Sequence, residues 1–428
     1  MYCGSCLHSN ALAAALQAEG EDVTLLPLYT PLRTDEPSAS LERVALGGIN
    51  VYLQQKSALF RYLPDFVEQW LDNPRLLRWV GRRASSTLPE HLGPLAVSVL
   101  RGEEGRQRKE LERLVGWLER DFQPDLVHLS NVMLAGVARQ ITRRLGVPIV
   151  CTLSGEDFFL DHLPDPYRAQ SQAVLRERCR DLKLLIALNH YYADRMAEYL
   201  AFPRDRIRVI RPGLTPDGHG TRLLRPPGSP FTIGFLGRIC PAKGLHVLAE
   251  ALTLLAADAN LPPLRLRAAG YLDSLNRPYL AGIQRQLAAR GLAGRFEYIG
   301  APDRAGKIAF LQSLDVMSLS TIYRESKGLP VLEAWANAVP VVVPRHGAFP
   351  EMVDDTGGGL LCRPDDPADL AAVLTRFIVE PELGSELGRR AQQAVRERYQ
   401  ARHMARQTIE LYRTLRDARV PASAPRVQ

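Results

Sequence analysis

The feature that most constrains this chain is an alternation, run through twice, of short apolar segments with amphipathic helical stretches. That is the pattern of strands and crossover helices in a parallel α/β sheet. In the first half a helix over residues 10–19 ends at Gly20 and leads into a strand at 23–28. Further strands are expected at 125–129, 147–152, 181–188 and 207–210, with a helix at 191–200 between the last two. Residues 214–230 are rich in Pro and Gly, nearly without periodicity, and read as an interdomain linker. A second α/β series then begins, with strands expected at 231–236, 264–269, 296–299, 315–319, 339–343 and 359–362, and helix from 381 to about 417.

A length of 428 residues suits two domains rather than one core. Apolar content of 46% against 24% charged is that of a globular chain, and no apolar run reaches the ~20 residues of a membrane span. Met1–Cys6 has no basic stretch followed by an apolar core, so no secretory signal is read and a cytoplasmic location is the expectation. The net charge of +7, carried almost wholly by Arg, suits acidic ligands such as phosphates and equally reflects composition bias. No nucleic-acid partner is expected. The six cysteines at 3, 6, 151, 179, 240 and 362 are scattered and read as reduced thiols. Cys3–Cys6 forms a C-x-x-C, but a structural zinc needs a second ligand pair, and no metal is expected.

The most informative segment runs from Glu325 to Pro340. A loop containing Gly328 leads into Pro330, which suits the start of a helix because its missing N–H would lack a partner there anyway. Such a helix end offers unpaired N–H donors and the positive end of the dipole, a site for a diphosphate, and Glu325 and Glu333 bracket it. Upstream, Gly237-Arg238 to Lys243-Gly244 lies where a strand ends and a helix begins, the place where α/β sheets collect ligands. It is not a P-loop, since Ala242 precedes the lysine.

The Glu-x7-Glu spacing around G-L-P-x-L-E-A resembles the donor-sugar motif of the family 4 retaining glycosyltransferases. Gly237–Gly244, His346–Val353, Asp315–Ser320, Pro124–His128 and Arg206–Gly213 fall in the order that family shows, so the resemblance covers nearly the whole chain. It implies the GT-B fold: two Rossmann-like, doubly wound parallel-sheet α/β domains facing a cleft. The boundaries expected are 1–213 for an acceptor-side domain, 214–230 for the linker and 231–395 for a nucleotide-sugar domain. A helix at 396–417 would return to the first domain, with a tail at 418–428. The resemblance further implies that Arg238 and Lys243 grip a donor diphosphate, that Glu325 contacts hydroxyls of the transferred sugar and that Glu333 accepts from the ribose. Backbone at Gly237, Gly328 and Leu329 would complete the cradle, and backbone near Gly270-Tyr271 and Tyr298–Gly300 would meet the base.

Three departures stand out. Ser326-Lys327-Gly328 replaces a Gly-rich phenylalanine turn, and Ala338 occupies a common glycine position. Ser154-Gly155-Glu156-Asp157 stands where a histidine often follows the strand, with His162 on the next loop as a candidate substitute.

The expected activity is transfer of a sugar, with retention, from a nucleoside diphosphate sugar to a carbohydrate or lipid-linked acceptor, with no cofactor beyond that co-substrate. A retaining glycosidase needs two carboxylates about 5 to 5.5 Å apart across the scissile bond, whereas both glutamates here flank one helix start. A nucleotide-sugar 2-epimerase and a catalytically idle nucleotide-sugar binder are the alternatives on the same scaffold. Residues 60–85, with Trp70, Trp79, Arg75, Arg78, Arg82 and Arg83, are compatible with a helix on an anionic membrane surface, or with packing and acceptor binding. Finally, only Met1–Cys3 precede the Gly4-Ser5 loop, too few for the central strand of such a sheet, so ~10 further N-terminal residues forming a strand are expected.

Overall fold

The structure, a computed structural model, describes residues 4–29, 32, 34–42, 44–45, 89–223, 226 and 228–417. The chain divides into two units, one of Ser5–Arg211 with the C-terminal stretch from Arg402, the other of Pro212–Ala401.

The first unit is built on four parallel strands, β1 (Val127–Leu129), β2 (Ile149–Thr152), β3 (Leu184–Ala187) and β4 (Ile207–Val209), hydrogen-bonded in sequence order. Every residue of β2 and β3 is buried, as the centre of a parallel sheet requires. Alternate side chains serve two separate cores. Leu129, Ile149, Cys151, Leu185 and Ala187 pack with Ile141, Leu175, Tyr192 and Met196 of the crossover helices. Val150, Leu184 and Ile186 pack instead with Leu12 and Leu16 of the helix Gly4–Ala18 and with Met404, Ala405 and Ile409 of the helix Ala401–Asp417. Strands laid down in sequence order by right-handed crossovers keep their helices on one face. The two terminal helices cover the other.

His128 ties this arrangement together. Its Nδ1 lies 2.5 Å from the Tyr412 hydroxyl of the C-terminal helix, and its Nε2 lies 2.7 Å from Thr152 Oγ1 of β2.

The second unit has six parallel strands: β5 (Phe231–Leu236), β6 (Leu264–Ala269), β7 (Phe296–Tyr298), β8 (Val316–Ser318), β9 (Val341–Pro344) and β10 (Gly359–Cys362). Their order is β10-β9-β8-β5-β6-β7. The chain moves outward from β5 through β6 and β7, then returns to the opposite side of β5 with β8. The order therefore reverses between β5 and β8. Fully buried Ile233, Phe235, Leu266, Val316, Met317 and Val341–Val343 form its centre.

Four expectations are corrected or refined. The helix expected from Asn10 begins at Gly4, because Asn10 is not a cap: its fully buried side chain accepts from Ala39 N–H at 2.8 Å and donates to the Pro37 carbonyl at 3.0 Å. Residues 23–28 form no strand but a single bridge, Leu25 to Ser40; Pro27 supplies no donor, and the Val23 carbonyl accepts from the Gln17 side chain. The segment read as an interdomain linker is fastened to the second unit. Leu214 pairs with Gln400, Gly220 hydrogen-bonds with Asn337 and Gln392, and Arg222 donates to the Asp315 carbonyl and Ser385. The final helix begins at Ala401 rather than 396, after a break at Tyr399-Gln400. Residues 60–85 lie outside the described residues, and among those described no helix is long and apolar enough to cross a membrane.

Burial lowers the pKa of His128 to about 4. As pH falls, the unfolded chain takes up this proton first, near 6.5, so the contribution of neutral His128 to stability is complete above that value and declines until about pH 4. Urea midpoints measured between pH 7 and 4 should therefore fall, and His128→Gln should make the fall shallower. Parallel curves for the two proteins would contradict this account.

Candidate functional site

Open α/β sheets bind ligands beyond the carboxyl ends of their strands where the order reverses, here at β5 and β8. The loop after β5 carries Gly237, Arg238 and a short turn, Pro241–Lys243, before the helix Leu245–Ala256. The loop after β8 runs through Tyr323 and Glu325 to the helix Leu329–Ala336, with Pro330 as its second residue.

The two loops are stitched to each other by backbone. Ile322 N–H donates to the Ala242 carbonyl at 3.1 Å, and Ser320 Oγ donates to the Gly244 carbonyl at 2.8 Å. Gly244, at φ 74°, permits this approach, since a Cβ there would lie 1.7 Å from the Ser320 carbonyl oxygen. A third loop joins from β9, with Ala348 N–H donating to the Glu325 carbonyl at 2.8 Å.

This stitching brings Lys243 and Glu325 together. Lys243 Nζ donates to Glu325 Oε2 at 2.7 Å, Tyr323 Oη donates to the same oxygen at 2.6 Å, and Oε1 accepts from the N–H groups of Ser326 and Lys327 at 3.2 and 3.3 Å. Glu325 is 4% exposed. Burial alone would raise its pKa, but Lys243 first and Tyr323 next outweigh that and hold the carboxyl down to about 2. Burial likewise works against the Lys243 charge, and Glu325 more than offsets it, so the ammonium pKa is raised. Tyr323 keeps its phenolic proton, its pKa raised by burial and by Glu325.

Glu333 lies on the second turn of the helix Leu329–Ala336 and forms an ion pair with Lys307 of the helix Arg304–Gln312. Gly328 caps that helix at φ 64° with Leu329 as its first residue, and a Cβ on Gly328 would meet Met352 Sδ at 2.6 Å. Arg238 is exposed at the end of β5, beside Gly237. His346 donates from Nε2 to the Thr321 carbonyl at 3.0 Å.

Thus all seven residues singled out from the sequence, Gly237, Arg238, Lys243, Glu325, Gly328, Leu329 and Glu333, fall on the loops and helix that follow β5 and β8. The sequence reading missed Tyr323 and Lys307. Tyr323 had a local signal, since residues two apart in extended chain share a face; Lys307, distant in sequence from Glu333, had none. His162 sits in the first unit at the end of the helix Glu156–Asp161, its Nδ1 at 2.6 Å from the Phe158 carbonyl. In the same loop Glu156 accepts from Val132 and Ser154 N–H groups at 3.2 and 2.8 Å, which fastens the turn after β2.

Residues 223–394 match the model for glycosyl transferases group 1, and residues 78–217 match that for Glycosyltransferase Family 4. The chain belongs to the group 1, family 4 glycosyltransferases of GT-B fold. It is 28% identical to a D-inositol 3-phosphate glycosyltransferase of Arthrobacter sp. (strain FB24), over 81% of this chain and 85% of that one. It is 25% identical to a glycogen synthase of Mycobacterium tuberculosis, over 69% and 70%. Among solved structures, sucrose-phosphate synthase from Thermosynechococcus elongatus superposes with a TM-score of 0.72 at 18% identity, covering 97% of this chain and 94% of that one. Anabaena HepE, solved in complex with UDP and glucose, superposes with a TM-score of 0.59 at 19% identity, over 70% and 81%. These likenesses bear out the fold and make the family member a glycosyltransferase.

The Lys307–Glu333 pair supports the helix that carries the site. Lys307→Met strands a carboxylate whose side chain is 12% exposed, and urea unfolding should show a loss of roughly 1 to 3 kcal/mol. Lys307→Met combined with Glu333→Met should recover much of that loss. A double variant no more stable than the single one would show that the pair does not account for the effect.

Proposed function

We propose that this glycosyltransferase uses a nucleoside diphosphate sugar, held by the second unit, and transfers the sugar with retention to a hydroxyl of a carbohydrate or lipid-linked acceptor received by the first. The observation that carries the reading is the constellation at the β5–β8 reversal. There, two cations, Arg238 and Lys243, stand on the loop after β5, the N-terminal end of the helix Leu329–Ala336 follows the loop after β8, and Glu325 lies beside Lys243.

Each group has a task in that chemistry. A diphosphate leaving group gains charge as the bond between the anomeric carbon and its oxygen breaks, and preorganised cations and a helix N-terminus stabilise that charge. Glu325, ionised far below neutral pH, accepts from a sugar hydroxyl. Glu333, held by Lys307, accepts from the ribose. The acceptor oxygen bonds to the anomeric carbon on the face the diphosphate leaves, and the acceptor proton passes to the departing phosphate oxygen. The HepE complex with UDP and glucose, on the same fold, and the glycosyltransferase relatives support this reading.

A thermal-shift panel of UDP-, GDP- and ADP-sugars identifies the donor, because a ligand of the folded state stabilises it by mass action. Arg238→Ala and Lys243→Ala should each fold and lower turnover roughly 10²-fold or more. Glu333→Ala should chiefly weaken donor binding. Unchanged turnover in both cation variants would overturn the phosphate assignment. Conversion of donor alone into an isomeric nucleotide sugar would replace transfer by epimerisation.

A further inference from the structure

We propose that Tyr323 is a positioning residue that keeps Glu325 in place while Lys243 changes partner from that carboxylate to the donor diphosphate. The inference rests on the donor-site reading above and adds to it an exchange on a single oxygen atom.

Glu325 Oε2 already carries two donors, Lys243 Nζ at 2.7 Å and Tyr323 Oη at 2.6 Å. A carboxylate oxygen offers about two lone-pair sites, so this oxygen is saturated. Oε1 takes the longer bonds from the Ser326 and Lys327 N–H groups. Neither oxygen has an uncommitted site for a sugar hydroxyl in this state. Lys243, with its side chain 19% exposed, cannot serve both the carboxylate and a diphosphate at full strength.

Both problems have one resolution. When Lys243 swings to the diphosphate it vacates one position on Oε2, and a sugar hydroxyl takes that position, so the oxygen again has two donors. The hazard lies between those states, since a carboxylate whose side chain is 6% exposed would lose its cation. Tyr323 answers it. Its hydroxyl makes a short bond to a charged acceptor, a class roughly twice as strong as neutral ones, and it stays on Oε2 whichever way Lys243 points. The Lys243 ammonium also donates to the Tyr323 hydroxyl and lies 4.9 Å from the centroid of its ring, so the tyrosine touches both the cation and the carboxylate. The loop stitching through Ile322 and Ser320 holds Tyr323 in this position independently of any ligand.

The test is a double-mutant cycle on affinity for a free nucleoside diphosphate, using whichever of UDP, GDP or ADP the wild type binds most tightly by calorimetry. Tyr323→Phe keeps the ring and, having lost one hydrogen bond to a charged group, should still fold with a melting temperature lowered by only a few degrees, while weakening nucleotide binding by roughly tenfold, because Lys243 can no longer leave without stranding Glu325. Glu325→Gln removes the charge that holds Lys243, and in that background Tyr323→Phe should change nucleotide affinity by less than about twofold. A tenfold loss in both backgrounds would make Tyr323 a structural residue and overturn the exchange. So would a Tyr323→Phe variant that binds like the wild type. Either result leaves the donor site standing, whereas a wild type that binds none of the three nucleotides overturns the donor reading and the exchange with it.

Discussion

A parallel sheet must be covered on both faces, since its strands carry apolar residues to each side. The two units meet this demand differently. In the second, the chain reverses direction between β5 and β8, which supplies helices to both sides and creates a crevice at the strand ends. In the first, the described strands succeed one another without reversal. The face left bare by the crossover helices is closed by the helices Gly4–Ala18 and Ala401–Asp417, whose Leu12, Leu16, Met404 and Ile409 meet Val150, Leu184 and Ile186. The return of the C-terminal helix is thus a packing requirement of the first sheet, with His128 and Tyr412 as its polar fastening.

The crevice of the second unit then dictates the electrostatics of the site. Three backbone loops converge there, and the space left for side chains is small enough that Glu325 is 4% exposed. A carboxylate in that position is tolerated only with several donors. It has four, two from side chains and two from its own loop. The cation that neutralises the carboxylate is the one placed to meet a phosphate. Binding chemistry and structural support therefore draw on the same lysine.

Much of this was legible in the chain. The strands 231–236, 264–269 and 359–362 were read with the bounds that the structure shows, because each is an apolar or alternating stretch closed by Gly, Pro or charged residues. Residues 23–28 looked equally apolar yet form no strand, because Pro27 supplies no donor and Gln17 occupies the Val23 carbonyl. The stretch 214–230 looked like a connector because Pro and Gly remove periodicity. The backbone of Leu214 and Gly220 within it is nevertheless met by Tyr399, Ala401, Asn337 and Gln392, all more than a hundred residues away. Composition reports how a segment behaves alone, not which distant groups complete its hydrogen bonds.

The sequence by itself determined the two α/β series, the strand-to-helix loops at Gly237–Gly244 and Glu325–Leu329, and the pair of glutamates eight residues apart. Periodicity, glycine conformations and helix starts are local properties, and local residues write them. Tertiary structure alone decided that Lys243 and Tyr323 share one oxygen of Glu325 and that Lys307 neutralises Glu333. Those partners meet only because β8 inserts beside β5 and the loops beyond them cross at Gly244. Strand order is set by the burial of whole sheets, and no motif of a few residues records it.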